Sequence, residues 1–262
     1  MFILPSLKHR AALALAAFAI SMTTAPHAMA ACPDTAAAGV DWTNCAMRSA
    51  ELGEADLSGA VLNMSDLTWA DLSGANLEYA DLSLASLWGT NLTGANLTYA
   101  DLSHATLISA NLTGANLGQG NLEHANLTDA NLTNAQLSAA RLSGADFERA
   151  DLTLAGIGGS TINGADFRNA TLEDAVMVGS HISDSVFRDA NLEDANLFGT
   201  NIINSDLRNA NLSGVNLTGG RLEGSDFRGA DMDGTILTDA NLSNAVWTDG
   251  RICAEGSIGS CN

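Results

Sequence analysis

"DFRNATLEDAVMVGSHISDSVFRDA", residues 166–190, divides into five units of five residues and carries the pair Phe-Arg in its first and last units. Phe167-Arg168 returns as Phe187-Arg188 and again as Phe227-Arg228, with Leu207-Arg208 between them. Two periods are therefore superposed, one of five and one of twenty. Working outward, the pattern A-(D/N)-L-x-x holds from Ala55 to Asp249, as in "ADLSG" (55–59), "ANLEY" (75–79) and "ANLSN" (240–244). From Leu57 to Trp247 there are thirty-nine centres without one frame slip, all apolar and twenty-eight of them Leu. The residue two before each centre is always Ala, Ser, Thr, Gly or Val. Five fits neither the 3.6 period of a helix nor the 2.0 period of a strand, so the repeat itself has to be the structural unit.

These units resemble the pentapeptide repeat family, and the resemblance covers nearly all of the chain after residue 54. It implies an all-β fold, a right-handed quadrilateral (four-sided) β-helix in which four pentads make one coil of about ten. The chain supports a coil of twenty on its own account. The aromatic centres Phe147, Phe167, Phe187, Phe227 and Trp247 all fall in one of four columns, as a single core aromatic stack requires. With coils about 4.8 Å apart, the helix is expected to be a rod about 50 Å long.

The ends read differently. Lys8 and Arg10 precede the short apolar run "AALALAAFAI" (11–20), and Ala28-Met29-Ala30 is an A-x-A cleavage site. The expectation is a signal peptide at 1–30, cleavage after Ala30, and a periplasmic or secreted protein without a transmembrane segment. Lipidation of Cys32 is disfavoured, because "TTAPH" (23–27) separates it from the apolar run. Residues 31–54 are expected to form an N-terminal cap with a short helix and the first irregular repeats; 55–249 form the β-helix; 250–262 form a C-terminal disulfide-closed cap. Cys32, Cys45, Cys253 and Cys261 lie at the two ends of the repeat. An even count in an exported chain argues for disulfides. Pairing Cys32 with Cys45 and Cys253 with Cys261 avoids joining opposite ends of a long body.

Removing residues 1–30 removes Lys8 and Arg10 but no acid, so residues 31–262 carry 9 − 30 = −21. That charge disfavours direct contact with nucleic acid or anionic lipid. Outward columns at a period of twenty show what the surface offers. Arg168, Arg188, Arg208 and Arg228 form a structural arginine ladder beside Asp166, Asp206 and Asp226, with Val186 breaking the acidic row. Trp69 and Trp88 occupy neighbouring columns on successive coils with Ile108 one coil beyond, a candidate partner-binding patch. Tyr79 and Tyr99 stack on the opposite face. Glu173, Asp174, Glu193 and Asp194 form the one acidic cluster that a hard cation could use. Thr93, Thr113, Thr133 and Thr153 make a hydroxyl file with Asn or Asp two residues earlier.

Nothing here reads as an enzyme or calls for a cofactor. Residues 31–262 hold His104, His124 and His181 and no lysine, and no phosphate loop or nucleophile motif stands out. The expectation is a rigid acidic rod that binds a protein partner or its own copy. The resemblance also supplies an alternative, since some cytoplasmic family members mimic DNA and bind type II topoisomerase. A cation- or small-ligand-binding module is a third reading.

Overall fold

A leucine at every fifth position is buried only if the chain turns a corner every five residues, and the backbone does so in one way throughout. The computed structural model describes Cys32 and residues 35–262; the signal-peptide segment lies outside them. Each pentad runs extended through its small residue, its polar residue and its centre, then turns. The Leu57 carbonyl accepts from the Ala60 N–H at 3.0 Å, closing a turn whose second corner, Gly59, has φ of 63°. A left-handed corner recurs at every fifth residue from Asn44 to Asn244. Gly, Asn and Asp, which enter that region readily, fill most corners. Trp69, Tyr79, Leu84 and Tyr99 fill others at φ of 60° or 61°, against a left-handed cost of roughly 1–2 kcal/mol per residue.

The residue before each centre pairs in parallel with the one twenty positions on, from Asp41↔Val61 to Asp226↔Val246. The Leu57 N–H donates to the Asn76 carbonyl at 2.8 Å, and the Asn76 N–H returns to the Ala55 carbonyl at 2.9 Å. Four pentads thus make a coil with four sides. Side one carries the centres Leu57 to Leu237, side two Leu62 to Leu242, side three Leu67 to Trp247, and side four Leu72 to Met232. Sides one and three are opposite. The pairing begins before the regular repeat does, because Trp42, Met47 and Leu52 continue the five-residue spacing. Val40, Trp42, Cys45 and Met47 are buried in the same core. The short helix expected near the N-terminus does not form, and the described residues contain no helix; none therefore crosses a membrane.

Centres and small residues fill the interior, with nearly every Leu centre fully buried. Phe147, Phe167 and Phe187 stack at 4.7 Å between ring centroids, within 4° of parallel. Leu207 interrupts the file, and Trp247 lies tilted by 54° at 6.0 Å from Phe227. The aromatic column is real but forms two pieces.

Three segments of side two become regular strands: β1 (Thr161–Asn163), β2 (His181–Ser183) and β3 (Asn201–Ile203). They pair in parallel in the order β1-β2-β3. The cause is a hydroxyl one coil further on. Ser185 Oγ accepts from the Ala165 N–H at 3.2 Å and donates to the Ile162 carbonyl at 3.0 Å, so it sits inside the turn and replaces its direct bond. Ser225 does the same between Ile202 and Ser205, and Ser205 accepts from the Ser185 N–H. All three opened turns have β-branched Ile at the centre, which favours extended backbone. Where the hydroxyl donates to the centre's carbonyl without accepting from the turn's N–H, as Ser160, Thr200 and Ser180 do at Leu137, Met177 and Ile157, the turn stays closed even with an Ile centre.

The final coil is met by a returning segment. Asn241 pairs with Ile258 and Val246 with Ile252, both antiparallel. Cys253 and Cys261 are bonded with Cα atoms 4.8 Å apart, and Cys32 and Cys45 with Cα atoms 5.6 Å apart.

Candidate functional site

Side three holds the features that stand out from the repeat. Trp69 occupies a left-handed corner, which throws its side chain outward, and Trp88 occupies the outward position before the next corner of the same side. Their rings lie 5.3 Å apart at 48° and are 56% and 44% exposed. Trp69 lies down across the following coil, where a Cβ on Gly89 would come within 2.3 Å of its ring. The missing side chain at Gly89 is what makes room. Ile108, half-buried, continues the file one coil on. The three residues lie on one side, in neighbouring columns on successive coils.

Further along, the same side becomes charged. Arg149 is held by Asp129 at 2.7 and 2.9 Å and also contacts Glu148. Arg168 takes Asp166 through Nε at 2.8 Å and Glu148 at 3.1 Å. Arg208 and Arg228 each take the aspartate of their own pentad, Asp206 and Asp226. Arg188 has no such aspartate, because Val186 stands in its place. It reaches one coil on to Asp206 at 2.6 Å, and its buried Nε has no hydrogen-bond partner. A shallow depression of about 360 Å³ lies against Arg188, Arg208, Asn209, Arg228 and Gly229.

These pairs set the local ionisation. Hydrogen bonds from Arg149 hold the Asp129 carboxyl below its ordinary value, and those from Arg228 do the same for Asp226. The same bonds raise Arg149 and Arg228, and the bond to Asp166 raises Arg168. Burial pushes Asp206 up, with Asp226 adding to it, against the pull of Arg188. The outward pairs are half-exposed, so each contributes little to stability by itself.

Glu173, Asp174, Glu193 and Asp194 lie on side four, but no three His, Cys, Asp or Glu among the described residues converge on a metal position. Stacking at the inter-coil spacing leaves their carboxylates side by side along the surface instead of around a point. His104 and His124 stack at 5.0 Å and lack a third ligand. On side four the hydroxyls of Thr93, Thr113, Thr133 and Thr153 all donate to the Asn or Asp of their own pentad at 2.6 or 2.7 Å.

Side one was not picked out from the sequence beyond Tyr79 and Tyr99, which stack at 4.9 Å and 3°. Between Glu78 and Asp239 no outward residue of this side is charged. The signal was present as an absence in every twentieth column, where a search for chemically active residues does not look.

A family model described as pentapeptide repeats matches eight overlapping copies between residues 50 and 244. Among solved structures, the chain is similar to HetL, a pentapeptide repeat protein involved in heterocyst differentiation regulation from the cyanobacterium Nostoc sp. strain PCC 7120. The identity is 33% over 82% of this chain and 92% of that one, with a TM-score of 0.46. It is similar to Rfr23, a pentapeptide repeat protein from the cyanobacterium Cyanothece 51142, at 21% over 43% of this chain and 90% of that one, TM-score 0.42. It is also similar to QnrB1, a plasmid-mediated fluoroquinolone resistance protein, at 21% over 65% of this chain and 89% of that one, TM-score 0.40. No curated protein matches.

Proposed function

Because the chain belongs to the pentapeptide repeat family, we propose that it is an exported, non-enzymatic acidic rod whose side three docks a protein partner. The observation that carries this is the Trp69–Trp88 pair, two large rings more than two-fifths exposed and in mutual contact on a flat side. Aromatic anchors of this kind dominate binding energy where they are exposed in the free protein and covered in the complex. Ile108 extends the contact, and the arginine file offers guanidiniums to acceptors on a partner that reaches further along the side. Both cysteine pairs are within bonding distance and none is free, which supports an oxidising compartment.

A photo-crosslinking residue at position 108 tests this reading in extracytoplasmic extract of the source cells. The expected adduct with one protein forms at position 108, fails with the same residue on side two at position 143, and disappears in Trp69→Ala/Trp88→Ala. An adduct indifferent to both tryptophans would sink the proposal. Mass spectrometry of the same preparation is expected to show a chain starting at Ala31 that gains about four mass units on reduction of two disulfides. The acidic charge supports a second reading, DNA mimicry toward a type II topoisomerase. An unprocessed, reduced cytoplasmic chain that inhibits DNA supercoiling would favour it over export.

A further inference from the structure

We infer that side one is the contact between two copies of this chain, packed face to face with their axes antiparallel. The electrostatics single it out. Residues 31–262 carry −21, and between residues 96 and 238 each of the other sides presents carboxylates. Side two has Asp101, Glu123, Asp184 and Glu223; side three has Asp129, Asp146, Glu148 and others; side four has Asp151, Glu173, Asp174 and others. Side one over the same span presents none. A second copy of so acidic a chain meets like charge everywhere else, which costs several kcal/mol at a contact. On side one it meets amides, hydroxyls and apolar groups.

The shape of side one is self-complementary in one register. On the two coils N-terminal to its middle the residues after each centre are small, Ser138, Ala139, Gly158 and Gly159, whereas larger side chains follow on the C-terminal side. There Val176, Phe198 and Ile236 are 44%, 49% and 48% exposed, and Val178 is half-buried. A two-fold axis in the plane of the contact, at right angles to the β-helix and midway between the coils of Ile157 and Met177, exchanges these halves. Gly158 then faces Val178 of the second copy, Ser138 faces Phe198, and Gln119 faces Gly219. Gly158 and Gly159 form a step of bare backbone; a Cβ at Gly159 would touch nothing, and one at Gly158 would meet only the Val178 backbone. At the rim, Tyr99 faces Asp239 of the second copy. Its hydroxyl already accepts from Gln119 Nε2 at 2.9 Å and has its proton free to donate. The contact is isologous, as closed two-fold symmetry demands.

Eight coils, each taking up about 4.8 Å, and three extended residues across give a strip about 38 Å by about 10 Å. That projected area, about 400 Å² from each copy and about 800 Å² in all, lies below the range of stable specific interfaces and in that of weak, transient contacts. The dimer is therefore reversible and concentration-dependent. Because sides one and three are opposite, it turns both Trp69–Trp88 strips outward. It does not depend on those strips having a partner.

Sedimentation velocity over roughly 5–500 µM, at low and at 0.5 M salt, tests the inference. A monomer–dimer equilibrium is expected, tightening with salt as the long-range repulsion is screened. Gly158→Glu/Val178→Glu places four carboxylates across the proposed axis, at positions equivalent to those where Glu148, Glu173 and Glu193 already sit. It is expected to melt as the parent does and to weaken dimerisation at least tenfold. Thr128→Glu on side three is expected to leave the dimer unchanged. A chain monomeric at every concentration and salt overturns the inference. So does a double variant that associates as tightly as the parent, or a Thr128→Glu effect of equal size.

Discussion

Ser185 shows how much a single hydroxyl decides in a fold this regular. In most pentads the small inward residue is alanine, and the turn one coil before it closes directly on its own carbonyl. Ser185 instead inserts between Ile162 and Ala165, and β1 (Thr161–Asn163) extends where a turn would otherwise begin. Removing the hydroxyl with Ser185→Ala is expected to let the Ile162 carbonyl bond the Ala165 N–H directly. The cost should be about 1 kcal/mol, since one buried hydrogen-bonded hydroxyl is lost and the freed backbone groups find each other. A crystal structure of the variant checks it; a turn that stays open would show that Ile162, and not the serine, sets the conformation. The left-handed corners carry a related lesson. Trp69, Tyr79 and Tyr99 tolerate a strained φ because the position aims their rings out of the coil, where each packs against a neighbouring ring.

At the scale of the side, charge pairing follows the ladder instead of the pentad. Arg188 takes its counter-charge from the next coil, so Asp206 serves two arginines. Asp129 and Asp226 have folded values below the ordinary 3.8. The stability they contribute is therefore present above about pH 4 and lost as pH falls through those lowered values. Asp206 is raised, and has the opposite sign: its contribution is present below 3.8 and lost as pH rises through the folded value. Thermal melts between pH 6 and pH 2 are expected to show a shallower acid-side loss in Asp129→Asn than in the parent. Asp206→Asn should steepen it. Equal slopes in all three proteins would mean that solvent screens these pairs completely.

For the whole molecule, the ends decide whether a ladder of identical rungs stays a single particle. An open coil edge presents unpaired N–H and carbonyl groups to any other chain. The C-terminal segment answers this by reversing direction: the Leu242 N–H donates to the Ser257 carbonyl and the Asn244 N–H to the Cys253 carbonyl. The Cys253–Cys261 bond closes a loop of eight residues, which restrains this segment more than it stabilises the coils. In Cys253→Ser/Cys261→Ser, amide exchange at Leu242 and Asn244 is expected to quicken at least tenfold, while Leu117 and Leu137 in the middle coils stay as slow as in the parent. Faster exchange throughout would mean that the end holds the whole ladder together.

The sequence by itself determined the coil. An unbroken five-residue spacing of buried centres leaves the backbone one way to hide them, and aromatic centres in one column require four pentads per turn. It also placed the Trp69–Trp88–Ile108 strip and the arginine file, because a side chain's direction depends only on its position within the pentad. Tertiary structure decided what depends on the neighbour twenty residues away. It set which carboxylate Arg188 uses, that Gly89 gives Trp69 room to lie flat, and that three serines open three turns into strands. It also kept Glu173, Asp174, Glu193 and Asp194 from converging: stacked coils lay like residues in parallel files, and a parallel file has no centre for an ion to occupy.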